Sequence, residues 1–273
     1  MPDIETCVRM GRVSFAYREP ILRAAIEALQ LPSGSRGLDA GCGIGLPALL
    51  LAEVVGPTGH VTGLDLSPDL LVHAEEIARE VGLSGRISLR EGDVRELPFE
   101  NDTFDWAWSA DCVGYGPLDP LPLVRELARV VKPGGIVVLL AWSSETLLPG
   151  YPLLEARLRA TAAGVAPFTR GKGPELHFLR ALGWFREAGL DSPNARTFVG
   201  DARAPLRDNM RQALIALFEM RWPGVEEELT REDGAAYRRL CLPKSPDFIL
   251  DHPDYYAFFT YSMFYGRVPS GGS

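Results

Sequence analysis

The sequence predicts an α/β fold: a doubly wound, mostly parallel sheet, with further helical segments inserted after its core. Three observations support this prediction. Short apolar strands alternate with amphipathic helices between residues 36 and 142, glycines recur at Gly41, Gly43 and Gly45 directly after the first of these strands, and Ile136–Trp142 is unbroken apolar sequence. Such alternation builds a parallel sheet with helices on both faces, and right-handed crossovers make the sheet doubly wound. An unbroken apolar run is typical of a strand buried on both faces.

The elements follow from apolar spacing and from turn signals. The first is a helix over Ile21–Leu29, with Tyr17 just before it; Tyr17 either reaches a ligand or packs this helix onto the body. The strands that follow are Gly37–Ala40, His60–Asp65, Ile87–Arg90, Thr103–Ser109 and Ile136–Trp142, and the helices between them are Leu46–Val55, Asp69–Val81 and Asp119–Val131.

The pattern changes after Trp142 and becomes mostly helical. The predicted helices are Tyr151–Ala163, Pro174–Ala188, Leu206–Met220 and Glu226–Leu240, with a strand over Ala195–Val199 and an aromatic segment with a strand-like tail over Tyr255–Val268. We expect the extra helices to cover the carboxyl ends of the strands and to form a substrate pocket there.

Composition restricts the class of partner. The 273 residues carry a net charge of −8 and no dense basic run, which disfavours nucleic acid and anionic membranes. The start of the chain lacks a signal-peptide pattern, and no apolar window is long enough to span a bilayer. The four cysteines are scattered without zinc-ligand spacing, so we expect no metal, free thiols and a cytoplasmic location.

The glycine turn is the predicted cofactor site. Glycines let a ligand approach the bare backbone, and the following helix directs its free N–H groups at that ligand. The acid Asp39 lies two residues before Gly41. The spacing is GxGxG, and Leu46 occupies the place of the third glycine of the dinucleotide fingerprint. A nicotinamide-binding fold is therefore disfavoured.

Two further acids follow later strands. Asp65 stands 20 positions after Gly45 at the end of the second strand, where a carboxylate can accept both hydrogen bonds of a ribose diol. Asp93 follows the third strand, where it can accept from the exocyclic amine of a purine while Val94 offers its backbone N–H. Each acid could instead serve only to cap a helix or form a turn.

The ordered motifs DAGCGIG, GLDLS, GDVRELPFENDTFDWAWS and LARVVKPGGIVVL resemble the class I S-adenosylmethionine-dependent methyltransferases. The similarity is greatest to the branch with the ubiquinone/menaquinone-biosynthesis and other small-molecule enzymes. It covers residues 36–142 closely, and Tyr17 and residues 175–199 more loosely. It implies a seven-stranded Rossmann-like methyltransferase sheet whose last two strands form an antiparallel pair.

The resemblance also implies roles for single residues. Matched to the family motifs, the cofactor-binding residues are Asp39, Gly41, Gly43 and Gly45 along the methionine and ribose, Asp65 on the ribose hydroxyls, Leu66 beside the adenine, Asp93 and Val94 reading the adenine, and Ser109 and Asp111 facing the methionine and the methyl group. Tyr17 is added as a further cofactor contact.

The implied reaction is a direct SN2 transfer of the methyl group to O, N or C of a small molecule, with S-adenosyl-L-homocysteine as product. Candidates for activating the acceptor are Asp111, Tyr115 and His177. After the last strand of the core only Glu145 could ligate a metal, so no metal is expected. The alternatives are a nicotinamide-dependent oxidoreductase, or a non-catalytic cofactor-binding protein on the same fold.

These expectations divide the chain into successive parts. Residues 1–35 form an N-terminal helical cap, and residues 36–142 the cofactor-binding core. Residues 143–268 complete the sheet and carry two helical lid insertions, at about 143–173 and 201–254. Residues 269–273 are expected to be a disordered tail.

Overall fold

A single seven-stranded sheet organises the chain in the computed structural model, which describes residues 3–114, 119–165 and 173–270. Its strands are β1 (Arg36–Ala40), β2 (His60–Asp65), β3 (Ile87–Glu91), β4 (Phe104–Ala110), β5 (Val131–Thr146), β6 (Asp191–Arg203) and β7 (Tyr256–Arg267). The helices in the described residues are α1 (Ile4–Leu29), α2 (Leu46–Val55), α3 (Pro68–Glu80), α4 (Pro120–Val130), α5 (Pro152–Ala160), α6 (Ala162–Val165), α7 (Ala181–Glu187), α8 (Asp208–Arg221) and α9 (Arg231–Cys241).

The strand order is β3-β2-β1-β4-β5-β7-β6. The first five strands are parallel, and β7 is antiparallel to both β5 and β6. The predicted mostly parallel sheet with an antiparallel final pair is therefore confirmed. The chain order reverses between β1 and β4, and ligands of such sheets bind in the crevice outside the carboxyl ends of the strands at this point.

Both faces of the sheet are covered by helices, which is why the middle of β5, Ile136–Trp142, is apolar without interruption. Val137, Leu139 and Ala141 pack into a layer with α4 and α7, while Val138 and Leu140 point to the opposite layer with α1, α2, α3 and α8. Successive strand residues face opposite sides, so a strand with two buried faces must be apolar at every position. Within the described residues, no helix combines the length and the apolar character needed to cross a bilayer.

The N-terminal helix is longer than the predicted Ile21–Leu29, so the predicted start of this helix was wrong. It begins at Ile4, with Asp3 accepting a hydrogen bond from the backbone N–H of Thr6, and it continues through Pro20. Tyr17 therefore lies within the helix and not before it. Proline normally ends or kinks a helix, but burial of apolar residues on both sides of Pro20 keeps α1 on one path against α8 and β6.

The strands near the carboxyl end are also longer than predicted. β5 runs to Thr146, four residues past Trp142, because it pairs with β7 from Phe258 to Arg267. β6 spans Asp191–Arg203, because it pairs with β7 from Tyr256 to Arg267. The boundary expected after residue 142 therefore falls inside a strand. The helix expected over Pro174–Ala188 is wrong in its first half, which forms two 3-10 turns before α7.

Candidate functional site

The glycine turn connects β1 to α2 in a conformation that requires glycine. Gly41, Gly43 and Gly45 all have positive φ, at 79°, 54° and 78°. A Cβ on Gly41 would lie 2.3 Å from the Sγ of Cys112, whereas a Cβ on Gly43 would enter open space. Gly45 is the N-cap of α2 and gives it no side-chain hydrogen bond, so the first amides of the helix have no side-chain cap. The turn therefore has the bare backbone and open helix start that the sequence predicts.

Asp39 is a buried acid without a partner. Its side chain is 1% exposed, and neither carboxylate oxygen has a hydrogen-bond donor in the described part of the chain. Burial, together with the neighbouring charge of Asp65, raises the pKa of Asp39 to about 8, and the nearby Arg18 opposes this shift. A buried polar group without a partner is costly. It is accounted for if a donor or cationic group of a bound ligand completes the site.

Asp65 connects the glycine turn to the start of α3. One carboxylate oxygen accepts from the backbone N–H of Gly43 at 2.8 Å, and the other accepts from the backbone N–H of Ser67 at 3.0 Å. An ionised carboxylate offers about four acceptor positions. Asp65 can thus hold the turn in place and still accept hydrogen bonds from a diol, as predicted.

The side of the crevice predicted for adenine contains one exposed apolar residue and one paired acid. Leu66 is 65% exposed and available to contact a flat ring. Asp93 accepts hydrogen bonds from the backbone N–H (2.8 Å) and from the guanidinium of Arg95, which hold its pKa below the ordinary value. Val94 packs partly against the α4 side of the core. A purine amine would therefore share Asp93 with Arg95, a residue for which the sequence motif gives no role.

Two of the predicted cofactor contacts are buried within the protein. Ser109 is fully buried; its hydroxyl donates to the carbonyl of Ala40 (2.8 Å) and accepts from the N–H of Val113 (3.2 Å). Tyr17 is 3% exposed, with its ring edge-on to Trp142 and Phe259. Burial raises the pKa of Tyr17 to about 12. Ser109 thus holds the ends of β1 and β4 from behind, whereas Tyr17 packs α1 against β5 and β7 and also lines the cavity beside Asp111.

Asp111 lies at the end of β4 and is held by three donors. Its carboxylate pairs with the guanidinium of Arg18 at 2.7 Å and accepts from the hydroxyl of Tyr261 (3.2 Å) and the backbone N–H of Trp142 (3.1 Å). Its positive φ of 51° is one that aspartate tolerates better than most residues. Asp111 thus connects α1, β5 and β7. It is next in sequence to Cys112, whose side chain lies beside Gly41.

A cavity of about 250 Å³ extends from Asp111 between α1, α8 and β7. Its walls include Met10, Ser14, Tyr17, Arg18, Trp142, Leu217, Met220 and Tyr261. Arg18 and Tyr261 were missed by sequence reasoning. Arg18 could have been found by extending the helical period of α1 one turn past Pro20, but nothing in the sequence joins Tyr261 to Asp111 across 150 residues.

We expect Arg18→Met to lower the free energy of unfolding by about 1–3 kcal/mol, because it removes the cation from a largely buried carboxylate. Arg23→Met on the same helix is the matched control. Its partners Glu19 and Glu53 are well exposed, so the cost should stay below about 1 kcal/mol. Urea denaturation of both variants measures the difference, and equal losses would contradict a structural role for the Arg18–Asp111 pair.

His177 is not brought into the Asp111 cavity. It lines a separate cavity of about 250 Å³ at the carboxyl end of β5, and its Nδ1 accepts from the backbone N–H of Leu179 at 3.2 Å. Arg221 lines both cavities. Tyr115, the third residue predicted to activate the acceptor, lies outside the described residues.

Comparison with known sequences identifies the segment around the glycine turn. A family profile described as a methyltransferase domain matches residues 38–135. The demethylmenaquinone methyltransferase of Bacillus cytotoxicus is 34% identical over 139 residues, which is 50% of this chain and 56% of the relative. That of Halalkalibacterium halodurans is 37% identical over 139 residues, 50% of this chain and 54% of the relative. The chain therefore matches about half the length of these relatives.

Comparison with solved structures supports the fold. The [4+2]-cyclase SpnF has a TM-score of 0.54 at 24% identity, with 92% of this chain and 80% of that chain covered. A SAM-dependent methyltransferase from Aquifex aeolicus has a TM-score of 0.52 at 17% identity, with 96% and 99% covered. The similarity to a cyclase shows that this fold does not fix the reaction.

The order of strands, the glycine turn with its acids, and the match over residues 38–135 agree on one assignment. The chain resembles the class I S-adenosylmethionine-dependent methyltransferases, and among them the branch with the ubiquinone/menaquinone enzymes.

Proposed function

We propose that this chain is an enzyme that transfers the methyl group of S-adenosyl-L-methionine to O, N or C of a small-molecule acceptor. The observation that carries the proposal is the unpartnered buried carboxylate of Asp39 beside a glycine turn open at Gly43. A cationic group of a ligand would favour the ionised form of this carboxyl group, and the turn offers bare backbone to a flat ligand. The residues thus fit the cofactor.

Each residue of the crevice has a role in this proposal. Asp39 receives a cationic group of the methionine part, Asp65 accepts from the ribose hydroxyls, and Leu66 covers one side of the adenine. Asp93 and Val94 recognise the edge of the adenine. Ser109 and Tyr17 act from behind by fixing the strand ends and α1.

When bound, the cofactor supplies a methyl group already activated on a sulfonium. The protein then has chiefly to align the acceptor with the S–CH₃ bond, and orientation of this kind can contribute about 7–11 kcal/mol. Asp111, fixed by Arg18 and Tyr261, is the group we propose to face the acceptor. His177 and Tyr115 remain proposed contributors for acceptors that must lose a proton.

We further propose a small molecule as acceptor, and not nucleic acid, because the net charge of −8 repels polyanions. None of the four cysteines is in a disulfide, which supports a reducing compartment such as the cytoplasm. The relatives are named demethylmenaquinone methyltransferases, which makes demethylmenaquinone one acceptor to test.

Calorimetric titration of the full chain with S-adenosylhomocysteine and with NADH tests the cofactor. We expect S-adenosylhomocysteine to bind and NADH not to bind. Asp65→Asn should weaken that binding roughly 10- to 100-fold, because the isosteric amide loses the charge that strengthens hydrogen bonds to the diol. Asp69→Asn, at an exposed site in the first turn of α3, is the control and should bind normally.

Methyl transfer is then tested by measuring the release of S-adenosylhomocysteine with phenol, quinol, amine and thiol acceptors. EDTA is present in each assay. Turnover with at least one acceptor supports the enzyme. Tight cofactor binding without turnover on any acceptor class points to the non-catalytic alternative, and binding of NADH alone would overturn the proposal.

A further inference from the structure

The Asp111 cavity is lined mainly by aromatic and apolar side chains. The ring of Trp142 lies edge-on to the rings of Tyr17 and Tyr261, with centroids 5.7 Å and 5.5 Å apart, and all three residues line the cavity. The aliphatic and thioether side chains of the lining are Met10, Leu217 and Met220. Aromatic and thioether groups both pack well against a flat ring. An apolar cavity of roughly 150 Å³ is enough for benzene, so the volume of about 250 Å³ leaves room for a substituted ring.

Two polar side chains of this lining already use their donors within the protein. The indole N–H of Trp142 donates to the buried carboxylate of Glu145, which also accepts from Nε (3.2 Å) and Nη2 (2.7 Å) of Arg221. The hydroxyl of Ser14 donates to the backbone carbonyl of Gly11 at 3.2 Å. A ligand in the cavity therefore meets Trp142 mainly as an apolar surface.

The charged side chains that line the cavity in the described residues each have a partner of opposite charge. Arg18 pairs with Asp111 at 2.7 Å, and Arg221 pairs with Glu145 at 2.7 Å. A charged ligand would bring a further charge, without a counterion, into a largely apolar space, and burying an unpaired charge is costly. The cavity therefore favours an uncharged molecule.

Asp111 retains room for one further hydrogen bond. Its Oδ2 accepts from Arg18 and from the hydroxyl of Tyr261, whereas its Oδ1 accepts from the backbone N–H of Trp142 at 3.1 Å. An ionised carboxylate offers about four acceptor positions, and three donors within the described chain occupy three of them. The side chain of Asp111 is 22% exposed, so a ligand can reach it. A hydroxyl group is the uncharged donor that fits the remaining position on Oδ1.

We propose that the Asp111 cavity selects an uncharged methyl acceptor with an apolar ring and a hydroxyl group, and that this hydroxyl donates a hydrogen bond to Oδ1 of Asp111. The inference rests on the proposed function, and it narrows the substrate class that the function leaves open. Phenols and other hydroxylated rings fit the cavity. Alkylamines, which are cationic at neutral pH, and carboxylic acids, which are anionic, do not. Asp111 is the specificity-determining residue in this proposal.

Four probes with the same methyl-substituted ring test this selection by calorimetry on the full chain saturated with S-adenosylhomocysteine. They are 4-methylphenol, p-xylene, 4-methylbenzoate and 4-methylbenzylamine. At pH 7 the phenol is un-ionised, since phenolic pKa values lie at about 10. We expect 4-methylphenol to bind in the millimolar range or tighter. p-Xylene has a methyl group in place of the hydroxyl and should bind about 10-fold more weakly or worse, because it makes no hydrogen bond to the carboxylate.

The charged probes test the balance of charge in the cavity. Both 4-methylbenzoate and 4-methylbenzylamine should bind more weakly than 4-methylphenol. Tighter binding of either charged probe would overturn the selection of an uncharged acceptor. Equal binding of p-xylene and 4-methylphenol, or no binding of 4-methylphenol, would overturn the proposed hydrogen bond to Asp111.

Asp111→Asn tests the residue that receives the hydroxyl. The preference for 4-methylphenol over p-xylene should fall to about 3-fold or less, because a hydrogen bond to a neutral amide contributes less than one to a carboxylate. Asp105→Asn is the matched control. Asp105 is also an acid of the β4 segment that pairs with a cation, Lys132 (2.7 Å), and accepts a backbone N–H, that of Arg36 (2.7 Å), but it does not line the cavity. An equal loss of preference in both variants would contradict a role specific to Asp111.

Met220→Trp places the probes in the cavity without relying on Asp111. Met220 is half exposed, so a larger side chain is tolerated there while it occupies part of the cavity. 4-Methylphenol and p-xylene should both bind about 10-fold more weakly. Leu153→Trp is the control, because Leu153 is exposed on α5 and does not line the cavity. Unchanged binding of both probes in Met220→Trp would show that they bind elsewhere and would overturn the proposal.

S-adenosylhomocysteine titration of the wild-type chain separates this inference from the function on which it rests. Binding of S-adenosylhomocysteine with methyl transfer to charged acceptors alone would refute the selection of a hydroxylated ring and leave the proposed function standing. Preferential binding of 4-methylphenol to a chain that does not bind S-adenosylhomocysteine would refute the proposed function and leave the specificity of the cavity standing.

Discussion

Asp39→Asn should abolish most of the cofactor affinity and at the same time stabilise the ligand-free protein. The carboxyl group is buried without a donor, so ionising it costs free energy until a ligand supplies a partner. The amide keeps the shape and cannot ionise. We expect S-adenosylhomocysteine to bind roughly 10- to 100-fold more weakly, as for the loss of one hydrogen bond to a charged group.

The stabilisation by Asp39→Asn should depend on pH. With a folded pKa of about 8, Asp39 keeps its proton in the folded state at pH values where the unfolded chain, with a pKa near 4, has lost it. The folded state thus binds more protons, and the contribution of Asp39 to stability falls as pH rises from about 4 through 8. Relative to wild type, the variant should gain about 3 kcal/mol more at pH 8 than at pH 5.

Urea denaturation at several pH values between 5 and 8 measures this difference. Asp102→Asn is the control, because Asp102 is exposed and its positive φ of 56° suits asparagine as well as aspartate. The free energy of unfolding of Asp102→Asn should change with pH between 5 and 8 as that of wild type does. A difference between Asp39→Asn and wild type that does not change with pH would show that Asp39 is ionised throughout.

Alanine at Gly41 and at Gly43 should have different effects on stability. Both positions have positive φ, which costs an L-residue about 1–2 kcal/mol. At Gly41 the new Cβ also meets Cys112, which we expect to bring the total to about 2–4 kcal/mol, whereas at Gly43 it meets no atom within 4 Å. Gly43→Ala should therefore fold well and still bind the cofactor at least 10-fold more weakly, because its methyl group fills the space left open for the ligand.

A double-mutant cycle distinguishes the contact from the backbone strain. Cys112→Gly removes the thiol and the Cβ that a methyl group on Gly41 would meet, so the double variant should be more stable than the sum of the single effects predicts. In the cycle of Gly43→Ala with Cys112→Gly, the two changes in the free energy of unfolding should add. Additivity in both cycles would show that the cost at Gly41 is backbone strain alone.

The sequence was a good guide to the elements of the core and a poor guide to their ends. β2 is found over the predicted residues, His60–Asp65, because turn signals bound it on both sides. α1 and β6 were predicted too short for different reasons. Pro20 is a local helix-breaking signal that burial overrides, and most of β6 is exposed along its length, so alternation does not mark it.

The candidate site was also only partly predictable from the sequence. Asp39 lies near the carboxyl end of β1, the glycine turn follows that strand, and Asp65 is the last residue of β2, so their convergence at the carboxyl edge of the sheet could be predicted. Ser109 was placed at the correct strand end, but its side-chain direction was not predictable. Neither the Arg18–Asp111–Tyr261 cluster nor the pair of Glu145 with Arg221 has a signal in the sequence.

The sequence by itself determined the alternating core, the glycine turn after β1, and the acids at the carboxyl ends of β1 and β2, because local spacing encodes strand ends and turns. Only the tertiary structure decided which donors hold Asp111, which acid remains unpartnered, and how two cavities meet at Arg221. The physical reason is that hydrogen bonds and ion pairs between distant segments depend on side-chain direction and burial, and these are set by the packing of α1, α8 and β7 on the sheet.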